Sequence, residues 1–370
     1  MKKAFESDVF SGADMPQYSS CTFPAMCKLS DGRILASFKA APQKGGNKNN
    51  AVVMCVSSDN GRTWSEGVEP FTPPEINGKK TSLRTLYFVE WSAGHLLAVA
   101  NAVDATMDEL GYFNTETEGL KDTFILVSRS DDNGESWSEF DRIIPTTFGD
   151  VPLPLTGCPF LCADGKIGIQ FEVNKPYYAT EYWVHHSAVI YSKDGGKTWG
   201  DEVMITDNPD VYYWDQRVSA LSDGTVADIF WTFDRRVGDY VNIHLCLSKD
   251  HGKSFGDPID TGLVGQPGNV FSGKDGSTLA VYINRENTPE IRLARMKTPS
   301  EWEDVFTVYG AADKSKKQSG SMNDVWAEMG AFSVGHPFVL PLDENNILVY
   351  YYSGPSTDRT DICCMGVSLD

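Results

Sequence analysis

The sequence lacks any run of about 18 or more consecutive apolar residues, the length that a membrane-spanning helix needs. We therefore exclude a transmembrane helix. The first residues, MKKAFESDVF, carry lysines but no apolar segment behind them, which is not the pattern of a secretory signal peptide. From both absences we expect a cytoplasmic protein, unless a leader has been removed.

Positive charge is scarce. The chain has 32 Lys and Arg residues against 51 Asp and Glu residues, so its formal net charge is −19. Such a surface repels the phosphates of nucleic acids and of anionic lipids. We expect neither nucleic acid nor a membrane as a partner, although a local basic pocket is compatible with this total. The composition leaves the oligomeric state open.

The spacings that mark metal and redox sites are also missing. No His/Asp cluster shows ligand spacing, and no cysteine pair has the flanks of a zinc ribbon. From these missing spacings we expect no metal site and no cofactor. We also expect reduced thiols, because the cysteines fall mostly inside apolar runs. The cysteines are Cys21, Cys27, Cys55, Cys158, Cys162, Cys246, Cys363 and Cys364.

Capped amphipathic helical stretches are absent, and paired apolar runs take their place. Six segments each contain an apolar run, a polar turn and a second apolar run, which is typical of a β-hairpin. They read FPAMCKLSDGRILASF, LYFVEWSAGHLLAVA, CPFLCADGKIGIQF, RVSALSDGTVADIFWTF, GNVFSGKDGSTLAVYI and HPFVLPLDENNILVYYY. The pattern predicts six similar β units.

A second repeat, Ser-x-Asp-x-Gly-x-(Ser/Thr)-(Trp/Phe), follows a β-rich run at residues 57–64, 130–137, 192–199 and 248–255. Its aspartates lie 73, 62 and 56 residues apart, and repeats of this kind mark solenoids, propellers or arrays. Asp and Ser side chains can bond backbone N–H groups, and Gly accepts positive φ, so the motif suits a tight turn. We expect its terminal aromatic ring to pack between neighbouring repeats.

The motif resembles the Asp-box, or BNR repeat, of the sialidase superfamily. The resemblance implies a six-bladed β-propeller whose boxes lie on the periphery, away from the active site. We therefore predict an all-β fold, with blades of four antiparallel strands in one domain over residues 1–370. Four blades carry the box after their third strand, and the N-terminal segment AFESDVF supplies a strand that closes the last blade.

The topology predicts that the starts of first strands, the ends of second strands and the starts of third strands share one face, the candidate pocket. Carboxylates beside apolar residues there can gain raised pKa values and act as acids. The predicted catalytic residues are Glu172, Asp215 and Asp234. The predicted substrate-binding residues are Arg84, Gln216, Arg217, Arg235, Arg285, His185, His336 and Tyr351. Tyr213, Trp214 and Trp231 offer a sugar-stacking surface.

The chain departs from sialidases in the first blade. The segment CTFPAM has Thr22 near the position of the arginine that binds the substrate carboxylate in that family, and residues 32–58 contain no Asp or Glu for the acid/base role. The superfamily also includes other exo-acting glycosidases and lyases. We therefore predict an exo-acting, two-carboxylate glycosidase of a small oligosaccharide or glycoside, other than a true sialidase. The alternatives are a uronate-specific oligosaccharide lyase and a non-catalytic carbohydrate-binding propeller.

Overall fold

The computed structural model describes residues 1–45, 49–107, 109–310 and 332–370. These residues form β-strands and one short 3₁₀ helix, so the predicted all-β class is confirmed for them. No helix in this part of the chain is long and apolar enough to cross a membrane.

The strands are short and follow one another closely, as the alternating apolar runs predict. In chain order, the elements are β1 (Lys2–Phe10), the 3₁₀ helix (Pro16–Tyr18), β2 (Ser20–Lys28), β3 (Ile34–Ala41), β4 (Ala51–Ser57), β5 (Thr81–Ser92), β6 (His95–Asp104), β7 (Phe113–Asn114), β8 (Gly119–Leu120), β9 (Thr123–Ser130), β10 (Asp141–Ile143), β11 (Phe160–Leu161), β12 (Ile167–Val173), β13 (His186–Ser192), β14 (Gly200–Thr206), β15 (Val211–Ala220), β16 (Val226–Asp234), β17 (Asp239–Tyr240), β18 (His244–Ser248), β19 (Ile259–Asp260), β20 (Gln266–Ser272), β21 (Thr278–Asn284), β22 (Glu290–Thr298), β23 (Glu301–Gly310), β24 (Val334–Pro341), β25 (Asn346–Ser356) and β26 (Arg359–Ser368).

Each predicted hairpin lies in an antiparallel group of strands. Four groups form separate sheets with the orders β5-β6-β9-β10, β11-β12-β13-β14, β15-β16-β18-β19 and β20-β21-β22-β23. The first group, β2-β3-β4, and the last, β24-β25-β26, share one sheet through the parallel pair Ser20 and Thr360. The N-terminal strand β1 pairs with β26, so the predicted addition of this segment to the last group is confirmed.

Apolar clusters hold neighbouring groups together. The cluster between the first and second groups includes Leu35 and Leu86, and the cluster between the last and first groups includes Phe38 and Tyr350. Similar clusters join the second to the third group, the third to the fourth, the fourth to the fifth and the fifth to the last. The hydrophobic effect therefore stabilises the contacts between groups as well as the sheets themselves.

The first strand of each group lies beside the first strands of its neighbours. β2 contacts β5, β5 contacts β11, β11 contacts β15, β15 contacts β20, β20 contacts β24, and β24 contacts β2. The series of contacts thus returns to the strand where it begins. Residues at the starts of these strands, which are far apart in the sequence, are brought to one place.

Several of these first strands carry a β-bulge near their start. In β15, Asp215 and Gln216 together lie opposite Phe230, because the register passes from the Trp214–Trp231 pair to the Arg217–Ile229 pair. The same two-for-one register shift occurs in β2, β20 and β24, and β5 has an extra residue at Arg84 and another at Trp91. A bulge re-aims a side chain and commonly lies next to an active site.

Three of the bulged residues have a left-handed backbone although none is glycine. Phe23 in β2, Asp215 in β15 and His336 in β24 have φ values of +56°, +50° and +53°. This conformation is uncommon for side chains with a Cβ and costs free energy that the surrounding structure must offset. Their repeated position marks the place where the inner strands depart from regular pairing.

The four repeated turns have one hydrogen-bond pattern. In the first copy, Asp59 accepts bonds from the Ser57 hydroxyl (2.9 Å), the backbone N–H of Arg62 (3.0 Å), and the backbone N–H and hydroxyl of Thr63 (2.9 and 2.7 Å). These bonds lower the pKa of the Asp59 carboxyl to about 2. In the other three copies, the aspartate likewise accepts bonds from the hydroxyl of the motif's first serine and from the hydroxyl and backbone N–H of its later serine or threonine.

Each turn also packs against a neighbouring group. A Cβ added to Gly61 would lie 2.8 Å from Leu348 of the last group, and one added to Gly196 would lie 2.6 Å from Leu97 of the second group. The ring of Trp64 packs against the cluster between the last and first groups. The expectation that the terminal aromatic ring packs between repeats is therefore confirmed for this copy.

We expect Asp59→Ala to lower the free energy of unfolding by about 1–3 kcal/mol, because it removes the charged acceptor of the hydrogen bonds that hold a tight turn. The loss should shrink as the pH falls below 3.8 towards 2, since a carboxylate with a lowered pKa contributes stability only while it is ionised. Urea denaturation at several pH values measures both effects. The control, Glu66→Ala, removes an exposed carboxylate nearby, and an equal loss in both variants would contradict the assignment.

Candidate active site

The bulged first strands surround a cavity of about 400 Å³. Phe23, Arg84, Asp215 and His336 line it from four different groups of strands. Residues at the end of β12 and in the segment 111–120 complete the wall. The volume lies at the lower end of the range for small-molecule sites.

Two carboxylates face this cavity. Asp215 lies on the β15 bulge, and its backbone N–H donates to Glu172 Oε1 over 2.8 Å. Glu172 also accepts a bond from the Thr156 hydroxyl (3.4 Å), and its Oε2 lies 3.3 Å from His185 Nε2. Both oxygens of Glu172 therefore have partners that fix the direction of its carboxylate.

The Asp215 carboxyl has a different environment. Its side chain is 34% exposed, and one oxygen lies 3.8 Å from Nη2 of Arg217. Its depth below the protein surface raises the pKa, since burial disfavours the charged form; Arg217 opposes this effect and Glu172 adds to it. Asp215 is therefore the cavity carboxyl whose protonated form is favoured by its surroundings.

Three arginines make the cavity positively charged. Arg84 lies over the ring of Tyr112, 4.1 Å from its centroid, and its buried Nη1 has no hydrogen-bond partner among the described residues. Arg217 is 2% exposed. Burial lowers the pKa of Arg285 to about 10, yet all three guanidinium groups stay charged at neutral pH.

Arg285 is held firmly in place. Its Nε donates to Gln266 Oε1 (2.6 Å), and its Nη2 donates to the carbonyl oxygen of Val334 (2.7 Å). The guanidinium also lies 3.8 Å from the ring centroid of Phe332. These contacts leave the cation pre-oriented at the cavity wall, so that little ordering cost remains when an anion binds.

Lys44, Tyr352 and His336 complete the polar wall. Lys44 Nζ lies 2.8 Å from the Tyr352 hydroxyl, and burial holds the pKa of this lysine well below its usual range. Burial and the nearby Arg217 also hold the pKa of His336 well below its ordinary value. Because Arg217 can only donate, His336 Nδ1 accepts its bond over 3.3 Å, and the proton of this neutral imidazole lies on Nε2.

A second cavity of about 350 Å³ lies beside the first. Both cavities are lined by Phe113, Asn174 and Trp214. The second is completed by residues of the segment 174–185 and by Tyr212 and Arg235.

The structure brings most of the predicted site residues to these cavities. Glu172, Asp215, Arg84, Arg217, Arg285 and His336 line the first cavity, and His185 and Arg235 line the second. Asp234, Gln216 and Tyr351 line neither.

Asp234 is engaged by its own turn. Its carboxylate accepts bonds from Arg236 Nε (3.0 Å) and Nη2 (2.5 Å), and these bonds lower its pKa. The expectation that its apolar flanks raise this pKa is therefore wrong. The arginine that follows by two residues folds back onto Asp234, an effect stronger than that of the flanking Trp and Phe side chains.

Gln216 and Tyr351 are buried by the geometry of the bulges. Gln216 is the second bulged residue of β15, and its amide donates to the backbone carbonyls of Phe171 (2.5 Å) and Ala188 (3.3 Å) in the neighbouring sheet. Tyr351 lies opposite the His336 bulge, where its ring packs 5.4 Å from that of Tyr309. Neither side chain lines a cavity, and the contacts of both are with the protein itself.

Sequence reasoning did not select Lys44 and Tyr112. Lys44 lies in a polar stretch without an apolar pattern, and Tyr112 lies in a long connection between strands. Tyr352 directly follows Tyr351, which was selected. A prediction that shifted the alignment of this strand by one residue would have selected Tyr352 instead. Of the three aromatic residues predicted to offer a stacking surface, Trp214 and Trp231 line the first cavity, whereas Tyr213 packs against Phe230.

Within the described ranges, no group of three or more His, Cys, Asp or Glu side chains is arranged to hold a metal ion. The eight cysteines are present as free thiols.

Residues 91–317 match the family model described as a BNR repeat-like domain. A sialidase from Paraclostridium sordellii is 27% identical over 190 residues, which are 48% of this chain and 44% of that protein. The chain thus spans less than half the length of that relative.

Solved structures share the fold at low sequence identity. A protein of unknown function from Dyadobacter fermentans superimposes with a TM-score of 0.73 and 18% identity, over 100% of this chain and 99% of the other. The intramolecular trans-sialidase from Ruminococcus gnavus, in complex with oseltamivir carboxylate, gives 0.65 and 13%, over 98% and 97%. The Trypanosoma rangeli sialidase, in complex with sialic acid, gives 0.63 and 12%, over 95% and 54%.

The matched domain covers more than half of this chain, and the fold is shared over nearly its whole length. On this evidence the chain belongs to the BNR repeat-like family of the sialidase superfamily.

Proposed function

We propose that the protein is an exo-acting glycoside hydrolase that releases a terminal acidic sugar from a small oligosaccharide or glycoside. Membership of the sialidase superfamily supports a hydrolase of this type. The observation that carries the proposal is the meeting of Asp215 and Glu172 with three arginines in one cavity of a chain whose net charge is −19.

The proposal includes the architecture. The six groups of strands are six blades of one closed β-propeller over residues 1–370. The closed series of contacts between first strands supports this arrangement, as do the apolar clusters between neighbouring groups. Radial repetition would leave only short, protected sheet edges. The cavity then lies where the inner strands converge.

Asp215 acts as the general acid. A carboxyl whose pKa is raised keeps its proton closer to neutral pH and can give it to the departing glycosidic oxygen. Its exposed fraction faces the cavity rather than the protein core. The left-handed backbone at this residue directs the side chain away from the β15 ladder.

Glu172 supplies the second carboxylate. Its partners Thr156, His185 and the Asp215 N–H hold it at the cavity wall, where it attacks the anomeric carbon or activates water. Retention or inversion of configuration in the product distinguishes these two roles.

The arginines recognise the acid group of the substrate. Arg84, Arg217 and Arg285 present buried guanidinium groups, which bind a carboxylate through paired N–H donors. A cavity of about 400 Å³ favours a chain end over the middle of a polymer. Because Thr22 lies where the family pattern has its first-blade arginine, we propose a uronate-capped substrate rather than a common sialoside.

One observation favours a second candidate function, uronate-specific elimination. The Tyr352 hydroxyl lies 2.8 Å from a lysine amine whose pKa is depressed, so this pair could remove a proton next to a carboxylate. Incubation with uronate-capped, sialyl, arabinosyl and rhamnosyl oligosaccharides separates the two functions by product mass. Hydrolysis adds one water, whereas elimination yields an unsaturated product without that gain. Saturable binding without any product would favour the carbohydrate-binding alternative.

We expect Asp215→Asn to lower kcat by about 10²–10⁴-fold, because the amide cannot donate the acid proton. The fall in kcat/KM at high pH, which reports deprotonation of the acid, should disappear in this variant. Asp234→Asn is the control, since Asp234 lines neither cavity and should keep near-normal turnover. Equal losses in the two variants would contradict the role of Asp215.

Arg84→Met should weaken the productive binding of an acidic substrate by about 10–100-fold in kcat/KM, since a charge-assisted hydrogen bond is lost. The control is Arg236→Met, which removes an exposed arginine whose partner is Asp234. Steady-state kinetics on one uronate-capped substrate measures both variants. An unchanged kcat/KM in Arg84→Met would show that the acid group binds elsewhere.

A further inference from the structure

The second cavity differs chemically from the first. Its charged side chains are balanced, with Glu118 and Glu181 against Lys175 and Arg235. Arg235 already lies 4.0 Å from Glu118 and 5.1 Å from the ring centroid of Tyr212. The first cavity has three arginines and two carboxylates instead. An anionic group is therefore favoured in the first cavity and gains little in the second.

Aromatic side chains form much of the second cavity. Tyr212 and Trp214 stack on each other with ring centroids 5.2 Å apart, and Tyr182 and Trp183 also line the cavity. Tyr182 is 70% exposed and lines the cavity, so most of its ring is accessible to a ligand there. Aromatic faces beside a few polar groups suit the apolar face of a sugar ring or an aryl group.

The two cavities meet at the catalytic carboxylate. Glu172 lines the first cavity, His185 lines the second, and the two side chains lie 3.3 Å apart. Asn174 and Trp214 border both. A bond between a sugar in the first cavity and a ring in the second would thus cross the wall near Glu172 and Asp215.

We propose that the second cavity binds the leaving group, a neutral sugar ring or an aromatic aglycone, with Tyr182 as its stacking residue. This inference rests on the proposed hydrolase function and narrows its substrate to an acidic sugar joined to an uncharged ring. Binding in this cavity does not require catalysis. It can therefore be tested separately from turnover.

The test uses the wild-type protein with two neutral probes, lactose and phenyl β-glucopyranoside, and one acidic probe, glucuronate. Tryptophan fluorescence reports the second cavity through Trp183, which lines only that cavity, and calorimetry gives the dissociation constants. We expect saturable binding of at least one neutral probe in the presence of saturating glucuronate. Tyr182→Ala should raise the dissociation constant of that probe by about 3- to 10-fold, because one aromatic face is lost.

The matched control is Tyr178→Ala. Tyr178 is 66% exposed and lies four residues before Tyr182, but it lines neither cavity. Its substitution should leave the dissociation constants of the neutral probes unchanged. An equal effect of both substitutions, displacement of the neutral probe by glucuronate, or no saturable binding of either neutral probe would overturn the proposal.

These outcomes are distinct from failure of the hydrolase proposal. If no acidic glycoside is cleaved while the neutral probe binds and depends on Tyr182, the ring-binding site stands and the reaction is wrong. If acidic glycosides are cleaved but neither neutral probe binds, the hydrolase stands and the second cavity has no such role.

Discussion

At a β-bulge, two residues of one strand lie opposite a single residue of the partner strand. Both cannot stay in the hydrogen-bonded ladder, so one side chain points in a different direction from the regular pattern. In β15 this geometry separates Asp215, which faces the cavity, from Gln216, which binds the backbone of the neighbouring sheet. β2 and β24 repeat the arrangement at Phe23 and His336. The candidate site therefore depends on a backbone irregularity that the apolar clusters between groups stabilise.

Cations deep in a protein are costly, and the chain offsets this cost locally. Arg84 and Arg285 lie over aromatic rings, and Arg285 and Arg217 donate to backbone or side-chain acceptors. The net charge of −19 repels anions at long range, whereas the buried arginines offer positive charge at short range. In the proposed function, the cavity arginines would bind the acid group out of reach of the salt that screens charges on the surface.

The sequence predicted the hairpins, the repeated turns and the strand β1 well, because alternation and turn chemistry are local. It also brought Glu172, Asp215 and Arg285 to one face, since that step needs only strand direction. The sequence pattern does not show where bulges occur, and a bulge changes which of two successive residues faces the cavity. Tyr351 was therefore selected, although Tyr352 is the residue that lines the cavity. Asp234 lies outside the cavities for another reason, because the sequence does not show that Arg236 folds back to form an ion pair with it. Lys44 came from a loop, where no periodicity exists to detect.

The pairing of β1 with β26 joins residues 2–10 to residues 359–368. During synthesis, the first of these segments must wait until residues 359–368 have been made before its partner strand exists. The earlier groups, whose strands are neighbours in the sequence, can pair as they emerge. Closing so long a loop carries a large entropic cost and makes folding slow. Until β1 pairs with it, one edge of β26 is open, and an open strand edge is a template for pairing with other chains.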